Sequence, residues 1–126
     1  MAFTDYLENK LLAHTFSNTA YTSPSTVHVA LYTVAPTDSS IGTEVTGGGY
    51  ARQSASFTTS GSATTNAAAI EYPTATANYG TVVAVAVLDA ASSGNMLAFA
   101  SLDANKTIAT GDVFRIPAGD LDITLN

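Results

Sequence analysis

Apolar positions are densest between residues 79 and 102, YGTVVAVAVLDAASSGNMLAFASL. Val82, Val83, Val85, Val87 and Leu88 are large or β-branched, Ala84 and Ala86 separate them, and no charge intervenes before Asp89. So short an apolar run fits a strand buried on both faces better than a helix. Residues 89–95 supply Asp, Ser, Gly and Asn, which bend the chain through local hydrogen bonds or tolerance of positive φ. Residues 96–102 run back, with Leu97 and Phe99 expected on one face and Met96, Ala98 and Ala100 on the other. This hairpin is the expected centre of the fold. Around it, strands are predicted over 26–33, 50–58, 67–72, 105–108, 112–116 and 121–125. In the first, Val27, Val29 and Leu31 alternate with Thr26, His28, Ala30 and Tyr32, which puts His28 on a polar face. In the last, Leu121, Ile123 and Leu125 should face inward. Residues 60–66 read as a polar turn, and 35–49 as a long loop leading to the exposed, flexible run Gly47, Gly48, Gly49.

One segment has helical rather than strand spacing. Phe3, Leu7 and Leu11 fall at i, i+4 and i+8 over residues 2–13, and Leu12 widens the stripe. Asp5 and Glu8 have capping-box spacing, with Thr4 as a second possible cap. So short a helix must dock on something, either its own sandwich or another chain. The resulting architecture is all-β, an antiparallel sandwich of about eight short strands, jelly-roll-like in count. The chain reads as one domain over 1–126, with an N-terminal helical segment in 1–16 and a β-core over 26–126.

Composition narrows the function. Charged residues are 11% of the 126, less than half the usual share, and Ser, Thr and Ala take their place. Such a surface suits packing against other protein, and also suits strands that prefer Thr. The formal net charge is −6, and Lys10, Arg52, Lys106 and Arg115 are scattered, so no basic patch meets nucleic acid. There is no Cys, no signal-peptide pattern and no apolar run of membrane-spanning length. The expectation is a protein made in a cytosol that stays soluble or joins an assembly, with no membrane partner.

Catalytic chemistry finds little to stand on. His14 and His28 are the only histidines and form no metal-ligand spacing. Asp38, Asp89, Asp103, Asp112 and Asp120 sit at turn positions, and Asp120 with Asp122 lacks the rest of a calcium loop. The glycine run is followed by Tyr50-Ala51-Arg52-Gln53, not by the Lys-Ser/Thr and helix that a phosphate cradle needs. No catalytic residue, cofactor or metal is therefore assigned.

Several stretches, taken in order, resemble a family of small virion proteins of tailed bacteriophages. They are FTDYLENKLLAHTF, TAYTSPSTVHVALYTVAPTD, GTEVTGGGYARQ, IEYPTATANYGTV, LDAASSGNMLAFASL and IPAGDLDITLN. Members are labelled head-decoration (capsid cement) proteins or tail-fibre proteins. The resemblance implies a structural, non-enzymatic role in the virion, after synthesis in the host cytoplasm. Together with the low charge and the lone helix, it favours a decoration protein. Such a protein would bind the major capsid protein and itself, as a homotrimer or other symmetric oligomer, and stabilise contacts between capsomers. Phe3, Leu7 and Leu11, with Gly47, Gly48 and Gly49, are the expected contact elements. The alternative is a tail-fibre or baseplate component involved in host attachment. A third reading is a glycan-binding sandwich using exposed Tyr32 and Tyr50.

Overall fold

The structure, a computed structural model, describes residues 1–125; Asn126, the last residue of the expected β-core, lies outside them. In chain order the elements are β1 (Ala2–Phe3), α1 (Asp5–Phe16), β2 (Val27–Val34), β3 (Thr43–Glu44), β4 (Gln53–Ala55) and β5 (Phe57–Ser60). They continue with β6 (Ala63–Asn66), β7 (Ile70–Glu71), β8 (Gly80–Leu88), β9 (Met96–Ile108), β10 (Arg115–Ile116) and β11 (Asp122–Thr124). Every pairing is antiparallel. The main sheet has the order β1-β9-β8-β2-β3, and β4 shares the β3 edge of β2. A three-stranded sheet, β11-β6-β5, and a two-stranded one, β10-β7, form the second layer. The fold is an all-β sandwich with one short helix, as the alternation predicts.

The β8–β9 hairpin is the centre of the main sheet. Val82, Val85 and Val87 of β8 join Val29 and Leu31 of β2 on the inner face, against Ile70, Tyr72, Phe114, Ile116 and Leu121 of the second layer. Each such side chain taken from water stabilises the fold by about 1.5–3 kcal/mol before entropy is subtracted. Ala84, Ala86 and Leu88 face the other way and join Ala30, Tyr32 and Met96 in a second cluster. That outer face is not the polar one expected of β2: Ala30 is 0% and Tyr32 3% exposed. Loop 35–42 explains the difference. Its Pro36 is buried, its Asp38 carbonyl accepts from the Asp5 amide at 3.1 Å, and Ile41 borders the cluster beside Tyr32, Leu88 and Met96. His28, also on this face, is half-buried, and its Nδ1 is out of solvent with no hydrogen-bond partner, so it is neither solvated nor bonded there.

Other expectations shift for local reasons. The ladder slips between Val87 and Leu88, where Leu88 meets Met96 but Val87 meets Ala98. Leu97 is the extra residue. It packs into the inner core while Phe99 packs on the outer cluster, so the two do not share a face. Residues 105–108 are not a separate strand but the end of β9. The strand expected over 50–58 divides at Ser56: β4 pairs with β2, and β5 pairs with β6 in the other sheet. The polar stretch 60–66 is not simply a turn, because β6 occupies its second half. The strands expected over 67–72 and 112–116 contract to β7 and β10, and Leu125 is 55% exposed rather than facing inward.

The helix begins later than its apolar spacing suggests. Thr4 is the cap: its Oγ1 accepts from the Leu7 amide at 3.4 Å and donates to the Met96 carbonyl at 2.6 Å. Such a cap contributes about 1 kcal/mol. Thr4 prevails over Asp5 because it is buried against β9, and its amide also bonds the Leu97 carbonyl. Asp5 and Glu8 are left exposed in the first turn, where their charge favours the helix N-terminus. Phe3 is consequently in β1, opposite Ala98, and not on the helix.

Candidate functional site

The expected contact residues do not form one surface. Leu7 is half-buried and packs onto the inner core, so the helix spends that position on its own sandwich. Phe3 and Leu11 are half-buried. The apolar side chains that α1 leaves in solvent are Leu12, 60% exposed, and Phe16, 79% exposed. Four residues apart, they project from the same helix face. The helix ends just beyond them. Ser17 and Thr19 amides both bond the Ala13 carbonyl, Asn18 takes φ 54°, and His14 Nδ1 accepts from the Tyr21 amide at 3.0 Å.

The three glycines differ in kind. All have positive φ, but a Cβ on Gly48 would stand 2.6 Å from the Ala77 carbonyl oxygen and against the Tyr79 ring. The Gly48 carbonyl accepts from the Thr76 amide at 3.0 Å. Gly48 is therefore a packed junction rather than part of a free loop, whereas Gly47 has open space around it.

Sequence reasoning missed the best-organised polar cluster. Arg52 clasps Glu44 with two bonds, Nε to Oε2 at 2.9 Å and Nη2 to Oε1 at 2.8 Å. Its Nη1 donates to the Ala90 and Ser93 carbonyls at 3.0 and 2.8 Å, fixing the β8–β9 turn. Tyr50 donates to Glu44 at 2.7 Å and accepts from the Leu31 amide at 3.0 Å. Burial opposes the Glu44 charge, but the bonds from Arg52 and Tyr50 outweigh it and hold the carboxyl below its ordinary value. Burial pushes Tyr32 up to about 12, with the Glu44 charge adding to it, and drives Tyr50 and Tyr72 higher still. Every donor of the guanidinium used here is spent within the fold, so the cluster is a clamp joining β3, the strand-entry segment and the hairpin turn. A signal was present: Arg52 is one of only four basic residues, eight positions after Glu44.

The same geometry leaves little of the two expected sugar-stacking rings exposed. Tyr32 is buried, and the Tyr50 ring lies between Tyr72, with centroids 6.1 Å apart, and Tyr79, at 5.8 Å. Tyr32 offers no free face, and one face of the Tyr50 ring is taken up by Tyr72. Among the described residues no three His, Asp or Glu side chains gather to hold a metal, and no helix is long and apolar enough to cross a membrane.

A family model described as podophage GP4 fiber I protein gp80 matches residues 2–124. The chain belongs to this fibre I family. The match runs from β1 through β11, so it takes in both layers of the sandwich, the helix and the clamp. No curated protein matches the chain. Fibre I membership makes this a phage virion protein with a structural role.

Proposed function

We propose that the protein is a non-catalytic component of the virion exterior, a fibre subunit held to the particle through the free face of α1. The observation that carries this reading is the family match over nearly the whole chain, to a protein described as a fibre protein. The exposed face of α1 supports a means of attachment. Leu12 and Phe16 are large, exposed and uninvolved in the core, and burying both in a partner would contribute about 3–5 kcal/mol before association costs. A symmetric oligomer, a trimer for instance, would present several such helices at once and gain avidity. Capsid decoration is the second reading. It is favoured by the compact two-layer form, whose single helix of 12 residues is too short for a coiled-coil shaft.

The deciding experiment counts copies of this protein in purified particles relative to the major capsid protein. A small number in multiples of three or six supports the fibre reading. A number close to that of the shell subunits replaces it with decoration. A Leu12→Asp/Phe16→Asp double variant then tests the attachment face. It should keep its stability within about 0.5 kcal/mol and lose incorporation. Incorporation at the normal level would move the contact elsewhere.

A further inference from the structure

A helix lying on a sandwich ordinarily spends its apolar residues on one side. The α1 helix spends them on two. Leu7 packs onto the inner core and Leu11 is half-buried, while Leu12 and Phe16 stand in solvent. At 3.6 residues per turn, the exposed residues Asp5, Glu8, Leu12 and Phe16 fall within an arc of about 80°. They form one ridge along the helix, acidic at its start and apolar at its end. The charge along it is uneven. The Asp5 amide donates to the Asp38 carbonyl at 3.1 Å, so Asp38 stands beside the helix start. All three acidic residues are exposed, and the one ion pair among the described residues is Arg52–Glu44. The helix N-terminus offsets only about half a unit of their charge. Towards the other end, residues 11–37 include no Asp, Glu, Lys or Arg.

A second copy of this chain does not complement the ridge. Two ridges face to face would cover on the order of 600 Å² from two Leu and two Phe, about half of what a specific interface buries. Nor does a second copy offer a basic patch. Arg52 holds Glu44, Lys10 stands over the Tyr6 ring, and Lys106 and Arg115 share a surface with Asp103, Asp120 and Asp122. We infer that α1 docks into a different virion protein, which presents an apolar groove with Lys or Arg side chains at one end. The inference rests on the attachment reading and names the chemistry of the partner. Two pockets about 6 Å apart take Leu12 and Phe16, and the basic groups stand about 6–10 Å beyond Leu12, over Glu8 and Asp5. Pockets let two side chains carry most of the binding energy, which a flat contact of this size does not allow. The opposite charges set the direction of the helix in the groove, since reversal would lay Phe16 on the basic end.

Particles produced with equal amounts of wild type and a variant read this as a ratio of incorporated copies. Glu8→Lys should be under-represented by at least about tenfold, and Lys10→Glu, off the ridge, by less than about twofold. A photo-crosslinking amino acid in place of Asn9, exposed beside the ridge, gives a readout independent of how the charge variant folds. In particles it should capture a segment of a different virion protein that contains Lys or Arg. Capture of a second copy of this chain, or of a segment without basic residues, overturns the inference. Normal incorporation of Leu12→Asp/Phe16→Asp overturns this inference and the helix-attachment reading together. Loss of that variant beside normal incorporation of Glu8→Lys overturns this inference alone.

Discussion

Asn66 is the most consequential single polar residue for stability, and replacing it by alanine tests the bond accounting directly. It is 1% exposed. Its Nδ2 donates to the Ala68 and Pro117 carbonyls, both at 2.9 Å, and its Oδ1 accepts from the Leu121 amide at 2.9 Å. Its backbone also bonds Leu121 and Gly119, so β6 is tied to the 117–121 turn at one point. Asn66→Ala removes three side-chain bonds at once and leaves the buried Leu121 amide without a partner. At about 1 kcal/mol for each bond, with more where a partner stays buried, the loss is about 3 kcal/mol. For a chain of this size that lowers the melting temperature by about 12 °C. With a urea slope of about 1.5 kcal/mol per molar, the midpoint falls by about 2 M. Urea titration followed by circular dichroism reads this directly. Asn66→Asp sharpens the test by pointing a carboxylate at two carbonyls. Burial and those dipoles would raise its folded pKa above the unfolded value, so the variant should regain stability as pH falls through the folded pKa toward about 4. A loss below about 1 kcal/mol for Asn66→Ala with an unchanged slope, or no recovery of Asn66→Asp in acid, would refute the reasoning.

Other perturbations test other parts of the fold. Arg52→Ala should cost about 2–3 kcal/mol and speed proteolysis within the β8–β9 turn. Arg52→Lys should not restore it, because a single ammonium cannot reproduce the bidentate contact; full rescue in urea titration would contradict the clamp. Gly48→Ala should destabilise by more than about 1 kcal/mol, since both its φ and the Ala77 carbonyl oppose a Cβ, whereas Gly47→Ala meets only the φ penalty and should cost less; equal losses in thermal melts would contradict this. Tyr32, Tyr50 and Tyr72 have folded pKa values above the unfolded 10.0, so their contribution is complete below that pH and is lost as pH rises through the folded values. Ultraviolet tyrosinate absorbance should therefore show these three still protonated near pH 11, and their ionisation there would contradict the burial.

Much of the fold was legible because β8 is nearly pure Val and Ala, a pattern with few structural alternatives. The places where the reading failed turn on contacts that alternation within one segment does not encode. Thr4 rather than Asp5 caps the helix because Met96 and Leu97 receive it. Tyr32 is buried because loop 35–42 folds over its face, which alternation within β2 cannot reveal. Leu97 and Phe99 part company because Leu97 is a bulge in β9 opposite the Val87–Leu88 step of β8. Residues 63–66, ATTN, hold a strand in place through Asn66 rather than through apolar alternation. The candidate surface was half legible. The helix was recognisable, but its inward Leu7 and outward Leu12 and Phe16 depend on the cap that sets its rotation.

The Thr4 anchor also orders events during synthesis. Its acceptor on β9 lies 92 residues further along. At ribosomal rates of about 5–20 residues per second, Thr4 waits roughly 5–20 s for that acceptor to be made. Until then α1 has emerged with its apolar side uncovered, as a short helix too weak to persist alone. The nascent chain therefore passes through a window in which its own beginning can bind a chaperone or a neighbouring copy, and the window closes only when the β8–β9 hairpin leaves the ribosome.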